Sequence, residues 1–92
     1  MALLSLLSST DVQHQLAESV KLKRKQMKLS RRALAERSTV PATTIKKFET
    51  TGQISLRQFI LLWQCVDQLE RLSDLTKKTN REPLTIEEVL RE

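Results

Sequence analysis

Residues 29–49 read LSRRALAERSTVPATTIKKFE, and they predict two short helices joined by a tight turn. Ser30 is suited to an N-cap, because its hydroxyl can accept a backbone N–H that the first helical turn leaves unpaired. The helix it opens is expected over 31–37, with Leu34 and Ala35 facing inward. Pro41 favours a fresh helix start, since its fixed φ suits the first turn and its missing N–H costs nothing there. The helix that follows carries Ile45 and Phe48 inward, three residues apart, and ends before Gly52. Apolar residues at Leu34, Val40, Ile45 and Phe48 around a short turn form the pattern of a helix-turn-helix, whose second helix enters the DNA major groove.

Towards the N-terminus, Thr10 and Gln13 fit a capping box that would open a first helix. Val12, Leu16 and Val20 recur every four residues and predict one buried stripe. Residues 21–28 continue that helix with a charged outer face, and Met27 and Leu29 return to the core. Towards the C-terminus, Ser55 and Gln58 form a second capping box, with Ile54 and Phe59 placed as a hydrophobic staple. Residues 56–66 are apolar almost all round, which predicts a fourth helix facing the core on one side and a partner chain on the other. Leu69, Leu72 and Leu75 extend the pattern into a short fifth helix. Residues 76–83 read as a polar linker. Thr85 and Glu88 make a further capping box, with Leu84 and Val89 as its staple, so a last short helix is expected over 86–91. The organisation is thus an apolar arm at 1–9, a helical domain at 10–75, and a linker with a short helix at 76–92.

The composition agrees with an all-α reading. The chain has 92 residues, enough for one small domain, with a single glycine and two prolines to interrupt helices. One cysteine, Cys65, and one histidine, His14, exclude an internal disulfide and a zinc cluster. No Ser/His/Asp or Cys/His set and no phosphate-binding glycine loop is visible, so neither an enzyme nor a cofactor is expected. The leucines at 3, 4, 6 and 7 lack the basic flank and cleavage site of a signal peptide. No apolar run approaches the ~20 residues that span a bilayer. The expected location is the cytoplasm. The charge is +5 overall but unevenly placed. Residues 21–47 hold ten basic residues against one acid, Glu36, a balance of +9, whereas the remainder sums to −4. A basic block beside an acidic remainder is the footprint of a polyanion binder.

At this point the sequence resembles a known family. The 29–49 segment is similar to the lambda-repressor-like (XRE, Cro-type) helix-turn-helix proteins, whose pattern runs Leu-Thr-Gln-x-x-Leu-Ala-x-x-x-Gly-Val-Ser-x-x-x-Ile-x-x-x-Glu. Leu29, Leu34, Ala35, Val40, Ile45 and Glu49 match it directly, and Ser30 replaces the Thr cap. Thr39 stands where the family has its turn glycine, Pro41 where it has a serine cap, and Arg31 where it has glutamine. The resemblance implies a five-helix lambda-repressor-like domain that binds DNA. By position it implies that Ala42, Thr43, Thr44, Lys46 and Lys47 reach base edges, with some phosphate contacts. Thr43 would offer a hydroxyl and a methyl, Ala42 a thymine contact, and Lys47 a donor to guanine O6 or N7. Arg31 and Arg32 would hold the backbone and set register. Arg24 and Glu49 occupy the positions of a partly buried structural ion pair in relatives.

Sequence-specific reading by one helix covers few base pairs, so a homodimer on double-stranded operator DNA is expected. The surplus apolar surface of the fourth and fifth helices supplies its interface, with Leu62, Trp63, Val66 and Leu69 as the candidate residues. Trp63 and Cys65 read as core or interface packing, and His14 as exposed. The segment ISLRQFILLWQCVDQLERLSDL with the Pro-Leu tail after it resembles HipB-type antitoxins, which repress their own operon and bind a HipA-type kinase toxin. A stand-alone or phage-type XRE regulator without a toxin is the alternative.

Overall fold

The computed structural model describes residues 6–77, and in these every regular element is a helix. Five α-helices follow one another: α1 (Ser9–Gln26), α2 (Arg31–Ser38), α3 (Ala42–Thr51), α4 (Leu56–Val66) and α5 (Leu69–Ser73). A 3-10 turn at Asp74–Thr76 ends the described chain. The last helix expected over 86–91, and residues 1–5 of the apolar arm, lie outside the described residues.

Local chemistry sets the helix starts. Ser30 caps α2 by accepting the Ala33 N–H at 3.0 Å, and Ser55 caps α4 by accepting the Gln58 N–H at 3.1 Å. Helix α1 begins earlier than expected. Its cap is Ser8, not Thr10, and the capping box pairs Ser8 with Asp11. The Asp11 side chain accepts the cap's own N–H at 3.1 Å, and an acidic residue in the first turn suits the positive end of the helix dipole. Gln13 is instead drawn to tertiary structure, donating from Nε2 to the Gly52 carbonyl at 3.2 Å. At its other end α1 stops at Gln26, because Lys28 turns the chain with φ of 59°.

Helices α1 and α4 pack against each other, α3 lies on α1, and α2 bridges α3 and α4. The core comprises Ala17 and Val20 of α1, Leu34 of α2, Val40, Ile45 and Phe48, and Phe59, Leu62 and Trp63 of α4. Phe48 and Phe59 meet edge to face at 5.9 Å between ring centres, a favoured aromatic geometry. Each fully buried Leu, Ile or Phe contributes about 1.5–3 kcal/mol through apolar surface removed from water. The buried stripe of α1 is Ala17, Val20 and Arg24, with Leu16 half-buried beside it. Val12 and Met27, both expected in the core, are exposed: α3 and α4 cover only the middle of this long helix.

Gly52 terminates α3 at φ of 79°, in the left-handed region that costs glycine least. An added Cβ there would lie 3.1 Å from the Gln13 Cβ and 3.2 Å from its carbonyl carbon. The α3–α4 corner therefore closes directly onto the backbone of α1.

Candidate nucleic-acid interface

Helices α2 and α3 are joined by three residues, Thr39, Val40 and Pro41. Thr39 takes the left-handed conformation at φ of 67°, and its N–H closes α2 on the Ala35 carbonyl at 2.8 Å. Its hydroxyl donates to the Ser38 carbonyl, and the buried Ser38 hydroxyl accepts the Val40 N–H at 3.1 Å. Val40 is thereby anchored in the core as a pivot. Pro41 precedes α3 with no side-chain cap, and its carbonyl accepts the first helical bond, from the Ile45 N–H at 3.0 Å.

The inner face of α3 carries Ile45, Phe48 and Glu49, all buried. Its outer face carries Thr43, Lys46, Lys47 and Thr50, all exposed, and Ala42 and Thr44 lie half-buried at its edges. Thr50 and Thr51 spend their hydroxyls on the carbonyls of Lys46 and Lys47. The Thr43 hydroxyl and the two lysine ammonium groups have no such bond among the described residues. Residues 43–47 of α3 thus present unspent donors, and Thr50 and Thr51 do not.

Glu49 is held from two sides. Arg24 of α1 donates from Nε to Oε2 at 2.7 Å and from Nη2 to Oε1 at 3.0 Å, a bidentate pair with both side chains buried. Arg31, the first residue of α2, donates from Nε to Oε1 at 2.9 Å. Arg24 also donates from Nη1 to the Leu29 carbonyl at 2.8 Å, just ahead of the Ser30 cap. One carboxylate on α3 therefore ties down α1 and the start of α2. Burial pushes the Glu49 carboxyl upward, but hydrogen bonds and charges from Arg24 and Arg31 outweigh it and hold it below its ordinary 4.5. The Arg24–Glu49 relation follows from the family resemblance. Arg31 joining it does not, and nothing local in the sequence links two residues 18 positions apart.

Of the ten basic residues in 21–47, Arg24 and Arg31 face Glu49, and Lys23 pairs with Asp67 at 3.2 Å. The other seven, Lys21, Lys25, Lys28, Arg32, Arg37, Lys46 and Lys47, meet no carboxylate among the described residues. Arg32 is exposed beside Arg31. A second cluster is legible in the sequence only in part, through the four-residue spacing of Asp67 and Arg71; Lys23 joins it from α1. Asp67 accepts from Lys23 and from Arg71 at 2.6 Å, and both cations lie over the Trp63 ring, at 5.8 and 5.7 Å from its centre. Trp63 Nε1 donates to the Gln68 carbonyl at 2.9 Å, pinning α5 to the end of α4.

Two of the four residues expected at a dimer surface belong elsewhere. Leu62 is 0% and Trp63 6% exposed, both inside the chain's own core. The reason is helical spacing: Phe59, Leu62, Trp63 and Val66 fall at i, i+3, i+4 and i+7 and form one inward stripe. Val66 is half-buried beside them, and Leu69 of α5 is exposed. The outward apolar residues of α4 are Leu56, Ile60 and the half-buried Leu61, which with Arg57 line an open cleft of about 330 Å³. Among the described residues no helix is long and apolar enough to cross a membrane.

No protein-family model, no curated protein and no solved structure matches the chain.

Proposed function

We propose that this protein is a sequence-specific DNA-binding repressor of lambda-repressor-like architecture, acting as a homodimer with α3 in the major groove. The observation that carries the reading is the outer face of α3. Thr43, Lys46 and Lys47 stand there exposed and, among the described residues, unpaired, on a helix fixed from beneath by a buried carboxylate. Rigid placement matters because base-edge contacts discriminate only when their donors are held in register. Arg32, Lys28 and Lys25, around the start of α2, supply charge for the phosphate backbone. Two-fold association places two such helices about one turn of DNA apart, ~34 Å. Leu56, Ile60 and Leu61 with Leu69 offer apolar surface for the second copy.

The decisive experiment is duplex binding as a function of salt. A dimer neutralising roughly 6–10 phosphates has a slope of log affinity against log salt near −5 to −9. A flat response removes the electrostatic basis of the reading. Lys47→Ala is expected to alter operator preference by about 1–3 kcal/mol, and unchanged discrimination would displace α3 from the groove. The similarity of residues 54–75 to HipB-type antitoxins supports a second role, capture of a HipA-type kinase toxin. Co-expression with the neighbouring gene product, followed by pull-down and sizing, tests it. Failure of that capture leaves the stand-alone or phage-type regulator.

A further inference from the structure

Glu49 has two guanidinium groups around it and needs only one. Arg24 already matches its charge with two hydrogen bonds, so Arg31 leaves the cluster with a surplus of +1. Arg31 meets Glu49 through Nε alone. Its two Nη nitrogens carry no hydrogen bond among the described residues, and its side chain is 34% exposed against 8% for Arg24. A guanidinium is planar and rigid, so fixing one N–H fixes the direction of the rest. The Nη fork of Arg31 therefore opens on a different edge from the one that meets Glu49. That fork matches two oxygens of a phosphate.

We infer that Glu49 is a positioning residue for Arg31, holding its guanidinium ready for one phosphodiester of duplex DNA. The inference rests on the DNA-binding reading and deepens it. Because Glu49 belongs to α3, one buried carboxylate sets both the orientation of the base-reading helix and the direction of a backbone anchor on α2. Arg24 completes the device by fixing Glu49 and, through the Leu29 carbonyl, the entry to α2. Arg32 is the internal control. It has the same charge and sits one residue further along the same helix end, but it is exposed with no partner among the described residues, so it must be ordered when DNA binds.

The test measures binding of a mixed-sequence duplex of about 30 base pairs across a salt series. Arg31→Ala and Arg32→Ala should each reduce the salt slope by about 1 per bound chain. At equal salt, Arg31→Ala should weaken binding several-fold more than Arg32→Ala, since only the Arg31 contact is preorganised. Glu49→Gln should weaken binding several-fold more in the unaltered background than in the Arg31→Ala background, where only its hold on α3 and Arg24 is left to lose, a pattern that a purely structural role does not give. Arg31→Lys keeps the charge but can serve either Glu49 or the phosphate, so the slope should persist while affinity falls several-fold. This variant decides between the two roles if Glu49→Gln fails to fold. Equal losses for the two alanine variants, an equal Glu49→Gln effect in both backgrounds, or full affinity for Arg31→Lys overturns the positioning role and leaves DNA binding standing. No duplex binding by the unaltered protein at any salt overturns both.

Discussion

Two carboxylates in this molecule each gather two cations, and their surroundings make them different devices. Glu49 lies closed off from solvent between Arg24 and Arg31, whose side chains are 8% and 34% exposed. Asp67 lies between Lys23 and Arg71, at 27% and 60%, on the rim of the Trp63 ring. In the first cluster, charges removed from water depend on one another, because a lone buried guanidinium has no substitute partner. In the second, the Asp67 side chain is itself only 9% exposed, but both of its cations reach water, which can stand in for either at their end of the pair. The same formula thus yields a structural latch at the proposed DNA-facing half and, at the α4–α5 end, a clasp whose cations stay in water.

The difference has measurable consequences, the greatest at Glu49. Glu49→Ala leaves Arg24 buried without its counter-charge, and chemical denaturation should show a loss of about 3–5 kcal/mol. A loss no greater than that of Asp67→Asn would erase the distinction between the two clusters. Acid provides a second view of the latch. The Glu49 carboxyl is lower in the folded chain than its ordinary 4.5, so its contribution is fully present above that value. It is lost as pH falls through the folded value. Denaturation midpoints should therefore stay level with respect to this group from pH 7 to about 5 and drop below 4.5, and Glu49→Gln should flatten part of that drop.

Backbone strain comes next in size. Gly52→Ala combines a left-handed φ with the close approach of Gln13, and should cost about 1–2 kcal/mol or more in thermal unfolding. Thr39→Gly should act in the opposite direction. It relieves a β-branched residue at φ of 67° and raises stability by about 0.5–1 kcal/mol after the entropy of the freer unfolded chain is set against it. A melting temperature that falls on this change would mean the Thr39 hydroxyl bond to Ser38 outweighs the strain. The smallest effect belongs to Asp67→Asn. Its carboxyl is lowered first by the Gln68 N–H, then by Lys23 and Arg71, so its contribution also disappears on acidification, below the ordinary 3.8. Salt should shrink the Asp67→Asn effect further and leave that of Glu49→Ala largely intact.

Much of the helical layout is readable from short-range chemistry. The Ser30 and Ser55 caps and the inward positions of Leu34, Ile45 and Phe48 depend on residues three or four apart, and each lies where spacing places it. The first cap is ambiguous in the sequence because Thr10–Gln13 and Ser8–Asp11 both satisfy the capping pattern. The charged carboxylate decides between them, together with Gly52, which draws Gln13 away. Leu62 and Trp63 suggest a partner surface because α4 is apolar on nearly every side, and composition alone does not say which side turns inward.

The starts of α2 and α4, the +9 basic block and the α2–turn–α3 pattern are already fixed in the order of the amino acids, since caps, periodicity and charge are local or additive properties. The assembled fold settles which face of α4 is core, why Thr39 must bear a left-handed turn, and that Arg31 shares a carboxylate with Arg24. Those outcomes depend on which helices meet and on how much water their meeting excludes. Charges 25 and 18 positions from Glu49 become its partners only when three helices close around it.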